Sequence, residues 1–122
     1  MSDTEVNEKW NTLFNGLVRS AQITDPDFFE IAKLNSLLGS VGLVQPFNWR
    51  AWGAATPEQH EVWQLNIYEC IQHITRLVRA DRTYEGVLYG ALRSGLLPAL
   101  CLVAFQRTEG KRAPVLGEVV KI

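Results

Sequence analysis

From Trp63 to Val78, apolar side chains recur at intervals of three and four: Trp63, Ile67, Cys70, Ile71, Ile74, Leu77 and Val78. That rhythm lines one face of a helix and leaves Glu69, Gln72, His73, Arg76 and Arg79 on another. A helix with one apolar stripe must bury it against a surface of the same character. The run "LLPALCLVAF", Leu96 to Phe105, supplies that surface. It is apolar on nearly every side and reads as a central core helix. It is too short for a membrane span, which takes about 20 residues.

The helical rhythm extends over most of the chain. Val6, Trp10, Leu13, Phe14, Leu17, Val18 and Ala21 place a first helix over about 4–21. Asp25 as cap and Pro26 at the first helical position open a second. Its expected apolar surface is Phe28, Phe29, Ala32, Leu34, Leu37 and Leu38, and Gly39 or Gly42 stops it. Thr56, Pro57 and Gln59 predict the start of the third helix as N-cap, first residue and capping-box partner. A fourth helix runs from about Thr83 to Ser94, capped by Asp81 or Thr83 and closed by Gly95, and a fifth starts near Pro98.

The expected fold is therefore all-α: a compact single-domain bundle of about five helices, with a Trp-rich loop between helices two and three. The domain takes in residues 1–122, with its core at about 4–106. Gly110, Pro114 and Gly117 make 107–122 an irregular, extended C-terminal tail, in which "VVKI" could form a short strand or an arm. A chain of 122 residues buries roughly two-thirds of its unfolded surface, enough for a full core.

Composition narrows the function classes. The net charge is -1 and the pI about 6.1, so no global positive field attracts nucleic acid. Cys70 and Cys101 occupy apolar helical positions, as buried free thiols of a reducing cytoplasm do. They form neither a disulfide framework nor a zinc signature. His60 and His73 have no metal-ligand spacing, and no nucleophile–base motif or glycine-rich phosphate loop occurs. No catalytic residue, metal or cofactor is expected. The N-terminal "MSDTEVNEKW" is acidic and polar, unlike a secretory signal, and points to a cytoplasmic protein without a membrane.

Four features could carry a function. The first is the basic stripe of Arg76 and Arg79, extended by His73 and Gln72 and joined by Arg82 and Arg93 if helices three and four form a hairpin. Guanidiniums suit a phosphate, a carboxylate or an acidic partner; the plain alternative is a solvated helix face. The second is "DRTYEG", Asp81 to Gly86: either a proton-transfer set including Arg82, Tyr84 and Glu85, or a corner where side chains cap two helix ends. The third is the line Gly86, Gly90 and Ser94. Glycine in a helix costs about 1 kcal/mol against alanine, so these residues are expected to form a helix-packing edge, which would also allow a homodimer; the alternative is a groove where a ligand or partner segment approaches the backbone. The fourth is the aromatic loop of Phe47, Trp49 and Trp52, either a lid on the bundle or an interaction patch with Arg50 between two indoles.

Two of these segments carry a resemblance. "PFNWRAW" and "RADRTYEGVL", through Pro46, Phe47, Asn48, Trp49, Trp52, Arg79, Arg82, Glu85, Gly86, Leu88 and Gly95, resemble a family of small bacterial proteins of unassigned function. Thr83 stands where that family more often carries Phe, with Tyr84 as the neighbouring aromatic. The resemblance spans roughly residues 25 to 105. It implies no chemistry, cofactor or partner. It does imply that the aromatic loop and the Arg/Glu/Gly corner form one unit, with Arg79 and Arg82 reaching the loop.

The leading expectation is a small protein-interaction module, such as an accessory or inhibitor protein of a phage or mobile element. The alternative is a small-ligand-binding protein or enzyme with a pocket of Trp49, Trp52, Arg79, Arg82, Tyr84 and Glu85. Exposure separates the two: convergent Arg and Glu in an open pocket favour a ligand.

Overall fold

The computed structural model describes residues 2–117, all of them helical or irregular. Helix α1 spans Asp3–Ala21, and the Ser2 side chain at its N-cap accepts the Glu5 amide. Helix α2 spans Phe28–Ser40. Its cap is Asp27, not Asp25: the Asp27 carboxylate accepts the Glu30 amide at 2.9 Å. Pro26 thereby falls outside the helix.

The third helix does not start at Thr56. Gln59–Gln64 is a separate 3-10 helix, and the chain is extended at Leu65. Helix α3 then spans Ile67–Asp81. Asn66 and Glu69 close a reciprocal capping box, with bonds of 2.9 and 3.0 Å. This box fixes the helix start. The Thr56 hydroxyl is engaged elsewhere, by Arg76.

Helix α4 is shorter than its apolar pattern predicts, spanning Val87–Arg93. Gly86 precedes it at φ 94, a left-handed conformation that ends helical propagation from Thr83. Asp81 still caps it across the turn, accepting the Leu88 amide at 3.0 Å. Helix α5 spans Leu96–Thr108 and departs from α4 at 77°. Gly95 makes that bend at φ 88, where an added Cβ would lie 2.8 Å from Gln59 Oε1.

The core forms where α5 crosses α3, with α1 and α2 paired beside it. Leu97, Leu100, Cys101, Val103 and Ala104 meet Ile71 and Ile74, and Trp10, Leu13 and Leu34 complete the interior. Trp10 meets Phe105 edge-on at 5.4 Å and stacks on Phe14 at 6.1 Å. Among the described residues, no single helix is long and apolar enough to cross a membrane.

The core does not stop near residue 106. Residues 109–117 lack long helix, as expected, but they fold back on the bundle and bury Ala113 and Leu116. The Ala113 amide donates to Val41 O at 3.0 Å, and the Trp10 indole donates to Lys111 O at 3.0 Å. The Gln45 side chain donates to Pro114 O and accepts the Leu116 amide, at 2.7 and 2.8 Å. The "VVKI" segment lies outside the described residues.

Candidate functional site

The aromatic loop is held by the middle of α3. His73 and Arg76 are three apart and share the face that meets the loop. Trp52 packs on His73 at 4.5 Å between ring centres and meets Phe47 edge-on at 5.6 Å. The Arg76 guanidinium carbon lies 4.7 Å from the Trp52 ring centre. Arg76 also donates to Ala54 O, to Thr56 Oγ1 and to His73 Nδ1. Its donors are thus directed into the protein's own loop.

This corrects the expected pairing of Arg79 and Arg82 with Trp49 and Trp52. Arg76 lies alongside the loop, whereas Arg82 is the C-cap of α3, where the chain turns into α4, and lines the groove shared with α2. It also corrects the polar-face placement of His73, which is 4% exposed. Burial, assisted by the Arg76 charge, pulls the His73 pKa down to about 4. The imidazole is therefore neutral near pH 7, and Nδ1 accepts, because Arg can only donate.

The expected pocket of Trp49, Trp52, Arg79, Arg82, Tyr84 and Glu85 does not assemble. Trp49, Trp52, Arg76 and Tyr84 line one shallow depression of about 470 Å³. Arg82 and Glu85 belong to a different cleft, on the α2 side of the corner, and Arg79 lines neither. Arg93, a candidate for the same basic patch, instead donates to Ile23 O and Thr24 O.

The cleft has two parts. An outer groove of about 720 Å³ runs between the start of α2 and the α3–α4 corner. Phe28, Ile31, Ala32 and Val78 give it apolar walls; Asp27, Asp81, Arg82 and Glu85 give it charge. An inner pocket of about 170 Å³ shares Pro26, Ile31, Asp81 and Glu85 with the groove and adds Asp25, Tyr89 and Arg93. The walls hold two buried side-chain atoms without hydrogen-bond partners: Asn35 Oδ1 in the outer groove residues and the Tyr89 hydroxyl in the inner ones.

Periodicity alone misplaced the aromatic pair at the start of α2, of which Phe28 lines the cleft. Phe28 and Phe29 were expected in the core, yet each is 79% exposed, and they meet edge-on at 6.0 Å. With Asp27 as cap, they occupy the first turn of α2, and Leu34 and Leu38 are the residues that turn inward. Tyr84, on the other rim of the corner, is 67% exposed.

The glycine line is not a helix-packing edge among the described residues. A Cβ placed on Gly86 or Gly90 would meet nothing within 4 Å, and Ser94 is exposed. Gly86 is explained by its left-handed backbone; nothing in the structure explains Gly90. Ser94 caps the chain locally, donating to Ala91 O and accepting the Leu96 amide.

Both thiols are buried and free. Burial raises both pKa values, that of Cys70 to about 11. Neither is a thiolate near neutral pH, so neither has the form that attacks a substrate.

A family of unknown function, DUF6508, matches residues 8–108. The match takes in the aromatic loop, the α3–α4 corner and both walls of the cleft. The chain belongs to DUF6508. No curated protein and no solved structure matches it. The DUF6508 match ends before the segment that locks onto Gln45, so that part of the core lies beyond the matched region.

Proposed function

We propose that this DUF6508 protein is a cytoplasmic protein-binding module and that it docks its partner in the cleft between α2 and the α3–α4 corner. The observation that carries the reading is the exposure, 79% each, of Phe28, which lines the groove, and of Phe29 packed edge-on beside it. An aromatic side chain buries roughly 150–250 Å² when covered, and a partner is the natural cover for two side by side. A groove of about 720 Å³ lies within the usual range of a binding site, roughly 300–1,000 Å³. Buried free thiols fit the reducing cytoplasm.

Charge names the partner's chemistry. Asp25, Asp27, Asp81 and Glu85 line the combined cleft together with Arg82 and Arg93, so carboxylates outnumber guanidiniums. The surface suits a segment that presents an apolar side chain beside a cationic one.

A random peptide display library, selected against the wild type and a Phe28→Ala, Phe29→Ala variant, tests this. Both side chains are exposed, so the variant should fold. Selected peptides should pair an apolar residue with Lys or Arg and should lose binding to the variant. Selection of acidic peptides, equal binding to both proteins, or no enrichment overturns the reading.

A further inference from the structure

We propose that the depression beside the aromatic loop binds a nucleotide through its base and one phosphate, either as a free nucleoside monophosphate or as part of a single strand. Trp49, Arg50, Trp52, Arg76, Thr83 and Tyr84 line it, and none of these described residues is acidic. It shares no lining residue with the docking cleft, so the two sites are separate.

The first observation is the set of rings. Tyr84 is 67% exposed at the corner, and Trp49 is half-buried in the loop. A base stacks on any aromatic face, whatever its sequence identity. The loop that carries the indoles is already closed into turns. The Trp49 amide donates to Phe47 O at 2.8 Å, and the Trp52 amide donates to Trp49 O at 3.3 Å. Trp52 itself is spoken for, packed on His73 and beside Arg76. Trp49 and Tyr84 are therefore the rings that meet the base.

The second observation is an uncommitted guanidinium. Arg76, Arg93, Arg107 and Arg112 each donate to a carbonyl of the chain. Arg50 donates to no carbonyl among the described residues. It is exposed, and its guanidinium carbon lies 5.2 Å from the Trp49 ring centre. Stacking uses the flat face of a guanidinium and leaves its N–H edge for a bidentate anion. Arg76, with its donors turned into the loop, adds positive charge beside it.

Size and chemistry together select the ligand. A volume of about 470 Å³ is some fifteen times the roughly 30 Å³ that a water takes up, so a lone phosphate would leave most of it unfilled. Rings for a base, a guanidinium for a phosphate and the exposed Thr83 hydroxyl for a sugar oxygen match the three parts of a nucleotide. No amide or carboxylate side chain lines the depression to read a base edge, so the identity of the base should matter only through its stacking area. The net charge of -1 gives no long-range attraction, so the contact is local.

Titration of the full chain with AMP, adenosine, inorganic phosphate and phenyl phosphate tests the site, followed by the indole N–H resonances. Trp49 and Trp52 should shift, while Trp10 in the core and Trp63 on the 3-10 helix should not. AMP should bind at least tenfold more tightly than each of the other three, because each lacks the base, the phosphate or the sugar. Arg50→Ala and Tyr84→Ala should each weaken AMP about tenfold. Both side chains are exposed, so both variants should keep the fold.

A tetra-adenylate strand that binds more tightly than AMP assigns the site to single-stranded nucleic acid; a strand that binds no more tightly assigns it to the free nucleotide. Absence of shifts at Trp49 and Trp52, adenosine, phosphate or phenyl phosphate binding as tightly as AMP, or unchanged affinity in either variant overturns the proposal.

Discussion

The Arg76 guanidinium carbon stands 4.7 Å from the centre of the Trp52 ring, which packs on His73 of the same helix. One side chain thereby joins the irregular loop to α3 by a cation–π contact and by hydrogen bonds to Ala54 and Thr56. Replacing Arg76 with Ala should cost about 1–3 kcal/mol, since a cation–π pair and a charged hydrogen bond each contribute on that scale and the site is only half-buried. Arg76→Lys should recover only part, because lysine keeps the charge but not the planar fork. Denaturant unfolding of the three proteins measures it. Full stability in Arg76→Ala would mean that Arg76 does not hold the loop.

His73 gives stability a pH dependence of defined sign. Its folded pKa is pulled to about 4 from an ordinary 6.5. The unfolded chain therefore binds the proton more readily, and stability is complete above 6.5 and falls as pH drops toward 4. At pH 5 the loss should be on the order of 1–2 kcal/mol. Thermal unfolding should show His73→Gln losing less stability than the wild type between pH 7 and pH 5, a window above most carboxylate titration. Parallel pH profiles for the two proteins would contradict a buried neutral imidazole.

Gly90 has ordinary helical company and open space where a Cβ would go. Gly90→Ala should therefore stabilise the protein by up to about 1 kcal/mol, through helix propensity and a less flexible unfolded chain. A rise of a few degrees in Tm is the expected reading. A fall instead would reveal a surface, supplied by a second molecule, resting on that edge.

Local chemistry made much of the fold legible. The alternation of apolar and polar positions in α1 and α3 determines helices, because a helix buries a stripe whatever its neighbours are, and α5 is legible as a core helix because it is apolar nearly all round. Ser2, Asp27, Asn66 and Asp81 end or start helices through bonds to amides a few residues away. Even so, the sequence offers several caps in competition. Asp25 and Asp27, or Thr56 and Asn66, satisfy the same rule, and only the assembled chain chooses between them.

The candidate site depended on distances that the sequence does not contain. Arg76, Arg79 and Arg82 are chemically alike, yet the docking of the loop against mid-helix gave Trp52 to Arg76 and sent Arg82 to the α2 side. Phe28 and Phe29 read as core because composition records apolarity and not direction; the rotation of α2 that buries Leu34 and Leu38 leaves them outside. Gln45 closes on Pro114 and Leu116, far along the chain, and so draws an apparently loose tail into the core. The sequence by itself determined which segments coil into helices, since those bonds span only a few residues. The tertiary structure decided which arginine is a clamp, which aromatics meet solvent and where the cleft lies, since these follow from contacts between segments distant in sequence.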